Sequence, residues 1–190
     1  MKVNTFLGAL FIACSVQAQI ETKVAYPPAN VDFEAFEKLL AEVKPHRAAR
    51  IISLDEFVKM SKEENTIILD TRSKEMYDAK HIKGAIHINF SDFTQESLKW
   101  LIPDPDTRIL IYCNNNFDNS QIRDPYFITK SAQPEIIDRD IERITLALNI
   151  PTYINLYGYG YRNVYELGEL VKMRPVDLRI EFEGSTVPAK

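Results

Sequence analysis

Apolar residues recur along this chain at two spacings, and the switches between them mark out the elements. Over 32–43, Phe33, Phe36, Leu39, Leu40 and Val43 return every three or four positions, which predicts a helix ending near Pro45. Arg50, Ile51 and Ile52 read as a short strand, and Ser53 with Glu56 forms a capping box opening a helix over 54–61. Residues 66–70 are a continuous apolar run ending in Asp70, the pattern of a strand buried on both faces. A short helix over 73–79, a short strand over 84–88 and a helix over 94–101 follow, before Pro103 and Pro105 punctuate a loop. Residues 108–112 form the second strongly apolar strand, and it ends at Cys113. Beyond a polar stretch over 114–133, a helix is predicted over 137–148 with Ile141, Ile144 and Leu148 on one face. A last strand over 152–156, a last helix over 161–171 and an edge strand over 178–182 complete the pattern.

Alternation of this kind predicts an α/β fold, a mostly parallel sheet covered by helices on both faces. The extended lead-in and first helix, 19–48, form an N-terminal extension; the main domain runs over 49–174 and a tail over 175–190. No internal repeat is present. Ligands of such sheets bind outside the carboxyl ends of the strands. Asp70 and Cys113 both stand at such ends.

The N-terminus changes which residues count. Lys2, an apolar run from Phe6 to Ala13 and a small-x-small step at Val16-Gln17-Ala18 have the form of a cleaved secretory signal over 1–18. The run is shorter than the roughly 20 residues a membrane span requires. The expectation is an exported, periplasmic, soluble protein. A lipid-anchored variant acylated at Cys14 is matched only loosely, because Phe11 is bulky. The whole chain has net charge −4 and the removed segment carries only Lys2, so one further negative charge remains after cleavage. A mildly acidic chain without a basic run excludes nucleic acid and anionic membrane as expected partners.

Cleavage also leaves one cysteine of two. Small exported domains carry cysteines in pairs, so a lone Cys113 is a free thiol or an intermolecular partner. The plainer alternative is an inert buried residue. A reactive thiol needs its pKa lowered from about 8.5, by inward-pointing amides, a helix N-terminus or nearby cations. The three asparagines after Cys113 tolerate left-handed backbone angles and so permit a tight nest of amides.

The order of motifs then resembles a known family. Leu69-Asp70-Thr71-Arg72, Tyr77 and the segment from His81 through Gly84 to Ile88 are similar to the paired motifs of rhodanese-like domains. Cys113 falls where that family places its catalytic cysteine, and the resemblance covers about 50–172. It implies a doubly wound domain with about five strands and an active loop of Cys113, Asn114, Asn115, Asn116, Phe117 and Asp118. Active members of the family hold sulfane sulfur as a persulfide on the cysteine. They take it from a small sulfur donor, pass it to a thiol or other thiophilic acceptor, and need no metal or organic cofactor. Covalent catalysis of this sort splits one transfer into two. This chain departs in having no cation in the loop, where Asp118 adds negative charge, and in a 119–136 insertion where the family's helix begins directly. Arg123 and Lys130 are the nearest downstream cations.

Asp70 and Arg72 read as structural, a hydrogen-bonded ion pair tying the strand end to its loops. His81 and His87 are candidate proton donors, with His81 alternatively holding its own turn, and Gly84 supplies a special backbone angle. Tyr157-Gly158-Tyr159-Gly160-Tyr161 and Tyr165 read either as an aromatic pocket wall or as a turn packed on the insertion. Trp100 reads as packing. Besides a sulfurtransferase, the sequence is compatible with a binding module that kept the fold and lost turnover. A phosphatase of the related kind needs Cys-x5-Arg, and position 119 is Asn.

Overall fold

The computed structural model describes residues 26–118, 120, 123–132, 144–173 and 179–187. The chain divides into two units, 1–31 and 32–190. Of the first, residues 26–31 are described: they carry no helix or strand, and the Val31 N–H bonds the Ala29 carbonyl at 2.9 Å.

The second unit opens with α1 (Phe33–Ala48), capped by the Asp32 carboxylate, which accepts from the Ala35 N–H. Then come β1 (Ile51–Ile52), α2 (Leu54–Met60), β2 (Thr66–Asp70), α3 (Lys74–Ala79), β3 (His81–Ile82) and β4 (Ile86–His87). Both halves of the capping box at Ser53 and Glu56 are formed. After α4 (Gln95–Leu101) and β5 (Arg108–Tyr112) the chain makes β6 (Phe117–Asp118), β7 (Ser131–Ala132) and β8 (Ile144–Thr145). It ends with α5 (Asn149–Gly158), β9 (Val164–Leu167), β10 (Val171–Lys172) and β11 (Phe182–Glu183).

Five strands form one sheet in the order β1-β9-β5-β2-β4, every neighbouring pair parallel. Successive side chains of a strand point to opposite faces, and β5 shows the result. Ile109 and Ile111 join Val43 of α1, Leu98 of α4 and Tyr153, Ile154 and Leu156 of α5 in one core. Leu110 and Tyr112 join Leu54 and Phe57 of α2 in the other, together with Phe117 and Phe127. The fold is the doubly wound α/β arrangement expected. No helix among the described residues is long and apolar enough to cross a membrane.

Several elements differ from the expectation. α1 continues past Pro45, although the proline removes one helix hydrogen bond. Tertiary contacts hold its last turn: Arg47 makes two bonds to Glu166, at 2.5 and 2.7 Å, and His46 Nδ1 lies 2.9 Å from the Tyr153 hydroxyl. The C-terminal third has helix and strand interchanged. Residues 152–156 belong to α5, not to a strand, and the expected helix over 161–171 is instead β9 and β10. Of the helix expected over 137–148, residues 137–143 lie outside the described residues, and Ile144–Thr145 pairs antiparallel with Ser131–Ala132. The stretch between β6 and the next helix is therefore 119–148, longer than the insertion expected over 119–136. The strand expected over 84–88 shrinks to Ile86–His87, because Gly84 turns the chain at φ +80°. Of the edge strand expected over 178–182, Leu178 lies outside the described residues, and Phe182–Glu183 pairs antiparallel with His81–Ile82. Trp100 projects into solvent.

Candidate active site

The alternation that puts Ile109 and Ile111 on the α5 face of the sheet carries Cys113 to that face too. Its backbone is still extended, at φ −149° and ψ −178°. Asn114–Asn116 then make a single 3-10 turn, and Phe117–Asp118 straighten at once into β6, parallel to β10. The six residues therefore do not curl as one loop. Asn116 closes the turn: its Oδ1 accepts from the Cys113 N–H (2.9 Å) and from Asn149 Nδ2 (2.8 Å), and its Nδ2 donates to the Leu167 carbonyl (2.6 Å). Phe117 pulls the chain straight by packing against the rings of Tyr112, Phe127 and Phe182. Asn115 pairs with the main chain of Lys130, donating to its carbonyl (2.8 Å) and accepting from its N–H (2.7 Å). Asp118 accepts from the Ser120 N–H at 3.0 Å. Arg123 and Lys130 are both exposed, and Lys130 bonds Asn115 of the loop through its main chain.

The Leu148 N–H, at the cap of α5, lies 3.3 Å from Cys113 Sγ, and the Asn114 amide adds to the pull that lowers the thiol pKa. The helix N-terminus thus returns to the cysteine despite the long intervening stretch, and its dipole favours negative charge there. Against this stands burial, for Cys113 is 1% exposed. Burial is the larger effect and pushes the thiol above its ordinary pKa; the Leu148 and Asn114 amides and the Arg72 charge pull the other way.

Beneath the cysteine lies a buried polar network. Arg72 pairs with Asp70 at 2.6 Å, and the Tyr112 hydroxyl donates to the same carboxylate. Burial is the largest single effect and works against the Arg72 charge, but the bond to Asp70, the Asp70 charge and the nearby Tyr112 and Cys113 together outweigh it, and the guanidinium pKa is raised. Arg72 also donates to the carbonyls of Tyr126 (2.8 Å) and Lys80 (2.7 Å), reaches Asn114 Oδ1 at 3.5 Å, and lies 4.5 Å from the centroid of the Phe127 ring. Lys80 pairs in turn with Asp124 at 2.6 Å. Residues 124–127, read in the sequence as insertion, are therefore pinned to the end of β2. His81 stacks on Tyr77, with Nδ1 2.6 Å from the Tyr77 carbonyl and Nε2 3.3 Å from Glu183. His87 stacks on the same tyrosine and bonds the Arg72 carbonyl at 2.8 Å. Neither imidazole bonds the cysteine.

A cavity of about 790 Å³ opens beside the turn, with Asn115, Asn116, Ala147 and Asn149 in its wall. Cys113 itself is not part of that wall. The tyrosines expected at this rim are elsewhere. Tyr157 ends α5 against His46, Tyr159 donates to the Phe93 carbonyl and Tyr161 to that of Ile102. They sit at the C-terminal end of α5, whereas the cysteine is at its N-terminal end. Leu148, Asn149, Tyr126 and Phe127 went unread as site residues. Leu148 and Asn149 carried one available signal, Pro151 three and two residues on, which is tolerated in a helix's first turn.

A family model for the rhodanese-like domain matches residues 53–167. The chain is 34% identical over 79 residues to the Arabidopsis thaliana protein "Rhodanese-like domain-containing protein 14, chloroplastic". The aligned part is 42% of this chain and 34% of that protein, so the chain spans about a third of its relative's length. Among solved structures it is similar to the BH2092 protein of Bacillus halodurans, at 18% identity and TM-score 0.42, covering 70% of this chain and 73% of that one. The Alr3790 protein of Anabaena sp. gives 15% identity and TM-score 0.42, covering 72% and 94%. A rhodanese with anions from E. coli gives 17% and 0.35, covering 63% and 99%.

Proposed function

Because the chain belongs to the rhodanese-like domain family, we propose that it is a sulfurtransferase that carries sulfane sulfur as a persulfide on Cys113 and passes it to a thiophilic acceptor. The observation that carries this reading is the Leu148 N–H at the N-terminus of α5, 3.3 Å from Sγ. An inert core cysteine needs no donors, whereas a sulfur that becomes an anion during turnover needs them fixed in advance. The Cys113 thiolate attacks the outer sulfur of a donor, and the donor's sulfur–sulfur bond breaks with its electron pair leaving on the remainder. An acceptor thiolate then attacks the outer sulfur of the cysteine persulfide and regenerates Cys113. The amides of Leu148 and Asn114 hold the negative charge whenever it returns to Sγ. Arg72 acts from behind the turn, as a positioning residue through Asn114 and as a buried positive charge.

A second reading, a binding module without turnover, is favoured by one observation, the burial of the thiol. The two separate on intact mass. Purified chain without the 1–18 segment, and so without Cys14, gains one sulfur atom from thiosulfate or polysulfide on the catalytic reading, and its Cys113→Ser variant gains none. A wild-type chain that gains no sulfur from any sulfane donor leaves the binding module as the reading.

A further inference from the structure

We infer that Thr152 is a positioning residue of this site: its hydroxyl, bonded to that of Thr71, holds the first turn of α5 where the Leu148 N–H meets Cys113 Sγ; the role in catalysis rests on the sulfurtransferase reading of Cys113.

The helix that supplies this amide begins without a cap of its own. Leu148 stands at the N-cap position of α5, and its side chain has no oxygen to accept from the first-turn amides. Helix ends fray, yet the Leu148 N–H lies 3.3 Å from Sγ, and a hydrogen bond weakens steeply once its geometry is lost. Two side-chain bonds fix the turn instead. Asn149 donates to Asn116 at 2.8 Å, but Asn116 belongs to the cysteine turn and moves with it. Thr152 meets Thr71 hydroxyl to hydroxyl at 2.8 Å, and Thr71 follows directly on the end of β2, which lies between β5 and β4 in the sheet. Positions 149 and 152 are three apart and share a face of the helix. The Thr152 N–H also donates to the Leu148 carbonyl at 2.8 Å, closing the first turn. A continuous line of contacts thus runs from β2 through Thr71, Thr152 and Leu148 to the sulfur.

The chemistry of the pair points the same way. Thr71 and Thr152 are 2% and 1% exposed, and Tyr153 and Ile154, next along α5, belong to the core. Two hydroxyls taken out of water there gain little net stability by bonding one another. Valine has the same branched shape and would fill the space at no polar cost. What the hydroxyls add is direction. Apolar packing is non-directional, whereas a 2.8 Å bond sets how the helix sits on the sheet.

The test follows the titration of the Cys113 thiol by nuclear magnetic resonance of its β-carbon, in the full, reduced chain carrying Cys14→Ser, where Cys113 is the only cysteine. Thr152→Val removes one hydroxyl. Thr71→Val combined with Thr152→Val removes both, leaves no unbonded hydroxyl, and is expected to keep a urea midpoint close to the parent's. Asp70 and Arg72, the charged side chains that act on the sulfur, stay in place in every variant. Both valine chains are expected to titrate about one pH unit higher than the parent, with roughly tenfold less thiolate at a given pH, because a hydrogen bond to a charged sulfur is loosened. Thr152→Ser keeps the hydroxyl and is expected to titrate with the parent. A folded double-valine chain that titrates like the parent overturns the inference, since the pair is then packing alone. A double-valine chain that does not fold overturns it as well, and so does a Thr152→Ser chain that shifts as far as Thr152→Val. Sulfur loading is scored separately: a parent chain that titrates as expected yet gains no sulfur from any sulfane donor overturns the sulfurtransferase reading and leaves Thr152 holding an amide against an inert thiol.

Discussion

Replacing Asn116 by alanine removes three hydrogen bonds that tie the cysteine turn to β9 and α5. The Cys113 N–H loses its acceptor, the Leu167 carbonyl loses its donor, and the Asn149 side chain loses its partner. Cys113 and Leu167 are both buried, so water does not replace the lost partners. Each orphaned buried backbone group costs about 1–3 kcal/mol, and two of them therefore about 2–6 kcal/mol. Asn149 is only half-buried and its amide is re-solvated at little cost. That loss is a large share of the roughly 5–15 kcal/mol by which a domain is stable. Urea unfolding followed by far-ultraviolet circular dichroism measures it; Trp100 is exposed and makes a poor fluorescence probe. The same substitution frees the turn from α5, so iodoacetamide should alkylate native Cys113 faster than in the wild type. A loss below about 0.5 kcal/mol, the range of neutral surface changes, with an unchanged alkylation rate would refute the view that Asn116 closes the turn.

Two further outcomes follow from the charges. Arg72→Met strands the Asp70 carboxylate in the core and is expected to cost about 3–5 kcal/mol, part of it recovered by Asp70→Leu in the same chain. A loss under about 1 kcal/mol in urea unfolding contradicts that. The thiol pKa is raised in the folded state, so the folded chain keeps its proton at a pH where the unfolded chain gives it up. Stability is then fully present below about 8.5 and falls as pH rises above it. Urea midpoints at pH 7 and 9.5 should diverge less in Cys113→Ser than in the wild type, and the pH profile of alkylation should turn over above about 8.5. Equal divergence, or an inflection below that value, counts against burial as the larger effect.

The central strands were legible because they are buried on both faces. Residues 66–70 and 108–112 are unbroken apolar runs, and the structure places β2 and β5 at those limits. The C-terminal third was not legible, for two local reasons. Pro151 falls between the helix and the strand expected there, yet it is the third residue of α5, where the N–H has no partner within the helix. Tyr153, Ile154 and Tyr157 keep the three-to-four spacing that a four- or five-residue apolar window hides. β9 failed in the opposite way. It is four residues long and contains Glu166, which reads as a solvent-facing helical position. Arg47, 119 residues earlier, makes that carboxylate tolerable inside. Nothing near Glu166 in the sequence announces such a partner.

The site divides along the same line between local and distant information. Chain order and the carboxyl end of β5 identify Cys113, while the amide 3.3 Å from its sulfur comes from Leu148, 35 residues on. The three asparagines were expected to supply a nest through their backbone. Instead Asn115 and Asn116 work chiefly through their side chains, and a helix start replaces most of the nest. This rearrangement bears on the chemistry. Burial opposes the thiolate, but the dry surroundings that oppose it also strengthen each dipole aimed at it. On the persulfide reading the loaded sulfur stands about 2 Å beyond Sγ, one S–S bond length, and Sγ itself no longer bears the charge. The desolvation cost that weighs on the free thiolate then falls on a different atom, the outer sulfur, so on that reading the empty and the loaded cysteine differ in how burial opposes their ionisation.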